Sequence, residues 1–249
     1  MIWNACSGVD QIKPIAGTLH RLVESQEQIA TTGYVDTLEE QGVLEELLET
    51  SKPPYPDGTP SGLHYLLKTP FRYPPLLWGS RFGRVHEPSL FYGGASVDAT
   101  LAESAYYRLV FLLSMEGEPP KQAINSEHTL FSIGYATERG IQLHQPPFDA
   151  HTDGLTHPAN YGDCQAVGTA MRDAGVEGFE YPSARDPQKR VCVALFTPSP
   201  FTSHEPNGIE QWLCQTLPDG VTFKSVGRSR PIRIPSDLFL VGGNLPMPA

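Results

Sequence analysis

Residues 51–62, SKPPYPDGTPSG, limit the fold of this chain more than any other stretch. Four prolines and two glycines in one run exclude both a continuous helix and a continuous strand. What lies on either side is therefore organised as separate elements. Upstream, Ile15, Leu19, Leu22, Val23 and Ile29 recur at spacings of three and four, and Leu38, Leu44, Leu47 and Leu48 form a second, Glu-rich amphipathic segment. With Gly33 as the turn between them, residues 11–50 read as a helical hairpin. Residues 1–62 are thus expected to be an N-terminal helical extension and linker, and residues 63–249 a second unit.

The pattern changes at residue 63. LHYLLKTPFRYPPL reads as extended, because each proline biases its predecessor away from helix. SLFYG (89–93) looks like a short buried strand, and Ser96 caps a helix whose apolar face is Leu101, Ala105, Leu109 and Leu112, with Leu113 close beside it. TLFSIGYA (129–136), VCVALF (191–196) and GVTFKSV (220–226) read as strands, and 161–174 as a helix ending before Gly175. Helices first, then short strands mixed with helices, favour an α+β fold over a regular βαβ sheet.

Several function classes are disfavoured at this level. The net charge of −10 argues against direct binding to nucleic acid or an anionic membrane surface, although a local basic cleft remains compatible with it. No apolar run approaches the roughly 20 residues of a membrane span, and MIWNACSGVDQIK does not read as a signal peptide, so a cytoplasmic location is expected. Cys6, Cys164, Cys192 and Cys214 are scattered and read as reduced thiols. There is no G-x-G-x-x-G, no phosphate-binding P-loop, no G-x-S-x-G and no H-E-x-x-H, and His151 and His157 read as loop residues, so no metal is expected.

Three separated motifs remain: TPFRYPPLLWGSRFGR, then LFYGGASVDATLAESAYYR, then GVEGFEYPSARD followed by VCVALF. In order and spacing they resemble the RES domain family, named for an Arg, a Glu and a Ser. The resemblance covers roughly residues 66–200 and is strongest in 71–108 and 178–196. It maps the family's arginine onto Arg81, its tyrosine onto Tyr92, its glutamate onto Glu103 and its serine onto Ser183. Many shorter members read Arg-Trp-Asn where this chain has Arg81-Phe82-Gly83, a departure that leaves the loop's contacts open.

The resemblance implies a fold similar to that of ADP-ribosyltransferases, with a mixed sheet, flanking helices and the N-terminal helical extension of longer members. It implies the toxin of a type II toxin–antitoxin pair that consumes NAD⁺ as substrate, with a cognate Xre-type helix-turn-helix antitoxin covering the active site. Trp78 is a candidate for the rim of that interface. Cleaving the nicotinamide–ribose bond passes through an oxocarbenium-like state and demands positioning more than acid catalysis, since nicotinamide already leaves well. Arginine suits phosphate, tyrosine suits a flat ring, and one carboxylate suits a cationic sugar.

Arg72 and Arg84 are further candidates for the diphosphate, with surface ion pairs as the competing reading. Arg185 reads as an ion-pair partner, and Tyr106 and Tyr107 as pocket flanks or core. Taken singly, Arg81 reads as an exposed loop arginine, Tyr92 as a core tyrosine, Glu103 as a solvated helix residue and Ser183 as a turn residue. Water, phosphate and a protein side chain all remain open as acceptors. A non-catalytic nucleotide- or antitoxin-binding protein is the alternative, and assembly through the helical hairpin a third.

Overall fold

Strand pairing, rather than helix packing, organises the beginning of the chain. In the computed structural model the described residues are 1–25, 34–117, 123–227 and 230–248. A short helix α1 (Ile2–Ala5) leads into strand β1 (Lys13–Glu24). Helix α2 (Leu38–Ser51) and the short helix α3 (Tyr65–Lys68) precede β2 (Phe91–Gly94), helix α4 (Val97–Leu113) and the long strand β3 (Ile124–Gln142). Helices α5 (Thr152–Leu155) and α6 (Gly162–Asp173) then lead to β4 (Gly178–Pro182) and β5 (Val191–Leu195), and the chain closes with β6 (Gly208–Leu217), β7 (Gly220–Ser225) and β8 (Ile232–Pro235). The fold is α+β.

The first half of the expected helical hairpin is a strand. Residues 13–24 pair antiparallel with β3 over the whole run from Lys13↔Gly140 to Glu24↔His128. Ile15, Leu19 and Val23 recur every four residues, a spacing that fits one face of a helix and equally one face of a strand, because four is a multiple of two. Ile15 and Leu19 are buried in one apolar cluster with Val23 packed against it, as an inward strand face requires. The second half is helical as expected: Thr37 caps α2 by accepting a hydrogen bond from the Glu40 amide. Ile29 and the proposed turn at Gly33 lie outside the described residues.

The segment expected to be extended after residue 63 also differs. It folds as α3 followed by one 3-10 turn, Thr69–Phe71. The imidazole of His64 accepts the Leu66 amide, and Pro70 occupies the start of the next turn, where it lacks no needed donor.

The sheet has eight strands in the order β1-β2-β5-β4-β3-β6-β7-β8, and β1 also pairs with β3. That extra pairing closes a ring of β1, β2, β5, β4 and β3, in which only β3–β4 is parallel, with α5 and α6 in the crossover. β6–β8 extend the sheet beyond it. Helix α4 buries Leu101, Ala105 and Leu109 against Trp212, Val221 and Phe223 of that extension, while Leu113 is left exposed. Neither β6 nor β8 is evident in the sequence. In β6 the inward positions are Trp212, Cys214 and the polar Thr216, while the apolar Leu213 and Leu217 fall on the other face, which blurs the period of two.

Helix α6 lies so close to the loop carrying Arg81 that Gly168 has no room for a side chain: a Cβ there would sit 1.9 Å from the Phe82 carbonyl oxygen. Backbone cannot yield as a side chain does. Gly168→Ala is therefore expected to lower stability by about 1–3 kcal/mol or more, read from the midpoint of urea unfolding. An unchanged midpoint would mean that α6 sits farther from this loop.

Candidate active site

A cavity of about 470 Å³ opens where β1, β2, α4 and the loop 76–81 meet, within the range of small-molecule sites. Arg81, Tyr92 and Glu103 all line it. Three residues read from separate motifs are thus brought to one place.

Arg81 is not an exposed loop arginine. It is buried, and its Nη1 donates to the carbonyls of His157 (3.0 Å) and Leu155 (3.4 Å), with its guanidinium 4.5 Å from the ring centroid of Tyr161. Burial works against its charge, but Tyr161, Cys164 and Glu103 more than offset this and hold the guanidinium protonated. The loop that presents it is tight: Gly79 sits at φ +75°, and a Cβ there would lie 2.3 Å from the Gly83 carbonyl oxygen. Phe82 and Gly83 have packing roles. The Phe82 ring meets Phe179 and Tyr181 edge-on at 4.8 and 4.9 Å, and a Cβ on Gly83 would press on Leu90 and Ser80.

Tyr92 fixes the same loop from β2. Its hydroxyl lies 2.9 Å from Ser80 Oγ and accepts the Phe82 amide at 3.1 Å. Burial pushes its phenol up to about 12, so it is neutral at physiological pH.

Glu103 projects from α4 on the side away from the Leu101/Ala105/Leu109 face. Ser183 Oγ donates to its Oε1 at 2.5 Å. Ser183 is fully buried and does not line the cavity. Its hydroxyl also accepts the amides of Arg185 (3.1 Å) and Asp186 (3.0 Å), so it ties the loop after β4 to the glutamate. It is a positioning residue. Ser183→Ala leaves two buried amides unpaired and should cost about 2 kcal/mol of stability, measurable by urea unfolding; a loss under about 0.5 kcal/mol would show that those amides find other partners.

Arg72 and Arg84 are not brought to the cavity. Arg72 binds Glu49 Oε1 at 2.6 Å and the Pro53 carbonyl, and stacks 4.4 Å over Tyr55, fastening α2 and the proline-rich linker to the body of the fold. Arg84 is exposed, and its amide donates to Glu87. Arg185 is buried as well, but its guanidinium lies 3.4 Å from the Tyr106 ring centroid and donates to Tyr161 Oη rather than pairing with an acid. Tyr106 is core, with its hydroxyl bonded to the Pro246 carbonyl, whereas Tyr107 lines the cavity. Trp78 lines it too, at the mouth with Leu76.

Two cavity arginines escaped the sequence reading. Arg21, on β1, donates from Nη1 to the Tyr92 carbonyl at 2.6 Å and lies over the Phe91 ring at 4.9 Å, and its Nε has no partner. No carboxylate pairs with it among the described residues, and burial lowers its pKa to about 10. Arg108, five residues after Glu103 on α4, reaches Glu24 only at 3.8 Å, and its Nε is likewise unpartnered. One signal for Arg21 was present. On a strand it shares a face with Leu19 and Val23, and an arginine inside an apolar stripe calls for an explanation.

No helix among the described residues is long and apolar enough to cross a membrane. A comparison with curated proteins finds no match. A family model, RES domain, matches residues 58–216, more than half of the chain, and spans Arg81, Tyr92, Glu103 and Ser183. This chain belongs to the RES domain family, which is associated with toxin–antitoxin systems.

Proposed function

We propose that this protein is the toxin of a toxin–antitoxin pair and that it cleaves the nicotinamide–ribose bond of NAD⁺. One observation carries the reading: buried Arg81 and half-buried Arg21 line one cavity with no acid among the described residues within ion-pair distance of either, and Glu103, oriented by Ser183, stands on the facing helix, with the more exposed Glu24 at another part of the lining. An unpaired buried cation is costly, so a cavity that keeps two is built for an anion. A diphosphate between two riboses fits both guanidiniums, and each can bind it through paired hydrogen bonds.

In this reading the diphosphate lies against Arg21 and Arg81, and the nicotinamide ring lies against Tyr92 and Tyr181. Glu103, held by Ser183, accepts a ribose hydroxyl and faces the anomeric carbon. The C1′–N bond breaks with its electron pair going to the nicotinamide nitrogen, which neutralises the ring. Positive charge grows on C1′ and ring oxygen, where Glu103 stabilises it. An acceptor oxygen or nitrogen then bonds to C1′ and loses its proton. Water, phosphate and a protein side chain all satisfy this scheme.

The partner is proposed to be a helix-turn-helix antitoxin that covers the mouth. Leu76 and Trp78 line the cavity, and Leu77 between them in sequence is 95% exposed, an apolar stretch suited to a protein contact. DNA contact falls to that partner, since this chain carries −10. Action on NAD⁺ in the cytoplasm completes the proposal.

Incubating the purified chain with NAD⁺, with and without phosphate, and following nicotinamide and ribosyl products by mass spectrometry tests it. Release of nicotinamide supports cleavage, and the product mass identifies the acceptor. NAD⁺ that stays intact, alone and with cell extract as acceptor, would overturn the catalytic reading and leave a binding protein.

A further inference from the structure

The main cavity reaches Arg21, and so does a second one. A pocket of about 240 Å³ shares that side chain in its lining, between β1, α3 and the turns that follow it. Its walls are Val23, Leu66, Pro70, Pro74 and two tyrosines, Tyr65 and Tyr73, and Arg21 is the only charged group that lines it. Both tyrosines are partly open to solvent, at 44% and 43%. Tyr65 is backed by the His64 ring at 4.6 Å, and the backbone of Tyr73 is held by a hydrogen bond from Ser89 Oγ to its carbonyl at 2.7 Å. Two prolines stiffen the wall. Apart from Arg21 it is an uncharged, aromatic slot, with the hydroxyl-bearing Thr69 and Ser89 in its lining.

Two pockets sharing one unpaired guanidinium suit a ligand with an anion in its middle and a flat group at each end. We propose that the smaller pocket is the base subsite of this protein and takes the adenine of the dinucleotide, stacked on Tyr73 and Tyr65, with the diphosphate at Arg21. The assignment rests on the NAD⁺ reading for its ligand, and on the shared arginine for its place. Neutral heteroaromatic bases bind through their faces, and stacking tolerates an uncharged wall that a phosphate or sugar would not use. The subsite then gives the long β1 a second purpose. It carries the residue that joins the two halves of the ligand.

The test uses the full chain and two probes. Calorimetry with 5′-AMP reads the subsite directly, and the preference for NAD⁺ over nicotinamide mononucleotide in nicotinamide release reads it through turnover. Tyr73→Ala should weaken AMP binding roughly tenfold, the scale of losing one stacking partner. Thr69→Trp, which fills the slot, should abolish it, and Tyr73→Phe should retain it. The NAD⁺ preference should fall with AMP affinity across the series.

AMP affinity that is the same in wild type, Tyr73→Ala and Thr69→Trp overturns the assignment, as does NAD⁺ cleavage whose preference does not move. AMP binding that follows the series in a chain that leaves NAD⁺ intact supports the subsite and sinks the catalytic reading instead.

Discussion

Glu103→Gln should lower NAD⁺ cleavage by a factor of roughly 10²–10³, the cost of removing one group aimed at developing charge, and should leave the fold intact. Glutamine keeps the shape of the side chain and an oxygen to accept the Ser183 hydroxyl, which now donates at 2.5 Å. What it lacks is the negative charge that the proposed reaction places beside C1′. If the carboxylate served only to hold the loop after β4, Gln would serve as well and cleavage would persist. The measurement is nicotinamide release at saturating NAD⁺, together with a urea unfolding curve. A variant that loses stability in proportion to activity would reassign Glu103 to architecture. One that keeps both would remove it from the site.

Arg21→Met should separate binding from stability in the opposite sense to most buried substitutions. The guanidinium has one carbonyl partner, an unpartnered Nε and no carboxylate among the described residues, and burial draws its pKa down to about 10. Burying such a charge costs several kcal/mol, whereas its hydrogen bond to a carbonyl returns about 1.5–3 kcal/mol. Methionine fills similar space without charge, so the variant should unfold no more easily than the wild type. Its affinity for ADP-ribose should fall by roughly 10²-fold, as expected when a charge-assisted contact to phosphate is lost. Because the folded-state pKa is lowered, Arg21 is charged below about 10 and loses its charge as pH rises through that value. Its share of anion binding should fade over the same range. A variant about 2 kcal/mol less stable that binds ADP-ribose normally would make Arg21 a structural residue.

Much of the candidate site was legible because its residues are carried by short motifs. The strand LFYGG, the capped helix from Ser96 and the YPSARD turn each declared their local structure, and their order placed Arg81, Tyr92, Glu103 and Ser183. Their neighbours were less legible. Arg72 and Arg84 lie close to Arg81 in sequence, yet one is used to fasten α2 and the other points to solvent. Arg21, sixty residues upstream of Arg81, shares the cavity instead.

Local sequence determined the strand–helix unit from β2 to α4, the end of α6 before Gly175, and which polar groups those segments can offer a site, because capping, periodicity and side-chain type act within a few residues. Only the tertiary structure decided that residues 13–24 are a strand. A four-residue apolar spacing fits both helix and strand, and pairing with β3, more than 100 residues away, selects between them. The same long-range pairing closes the ring of β1, β2, β5, β4 and β3 and carries Arg21 to Tyr92, creating a cavity that no single segment of the chain contains.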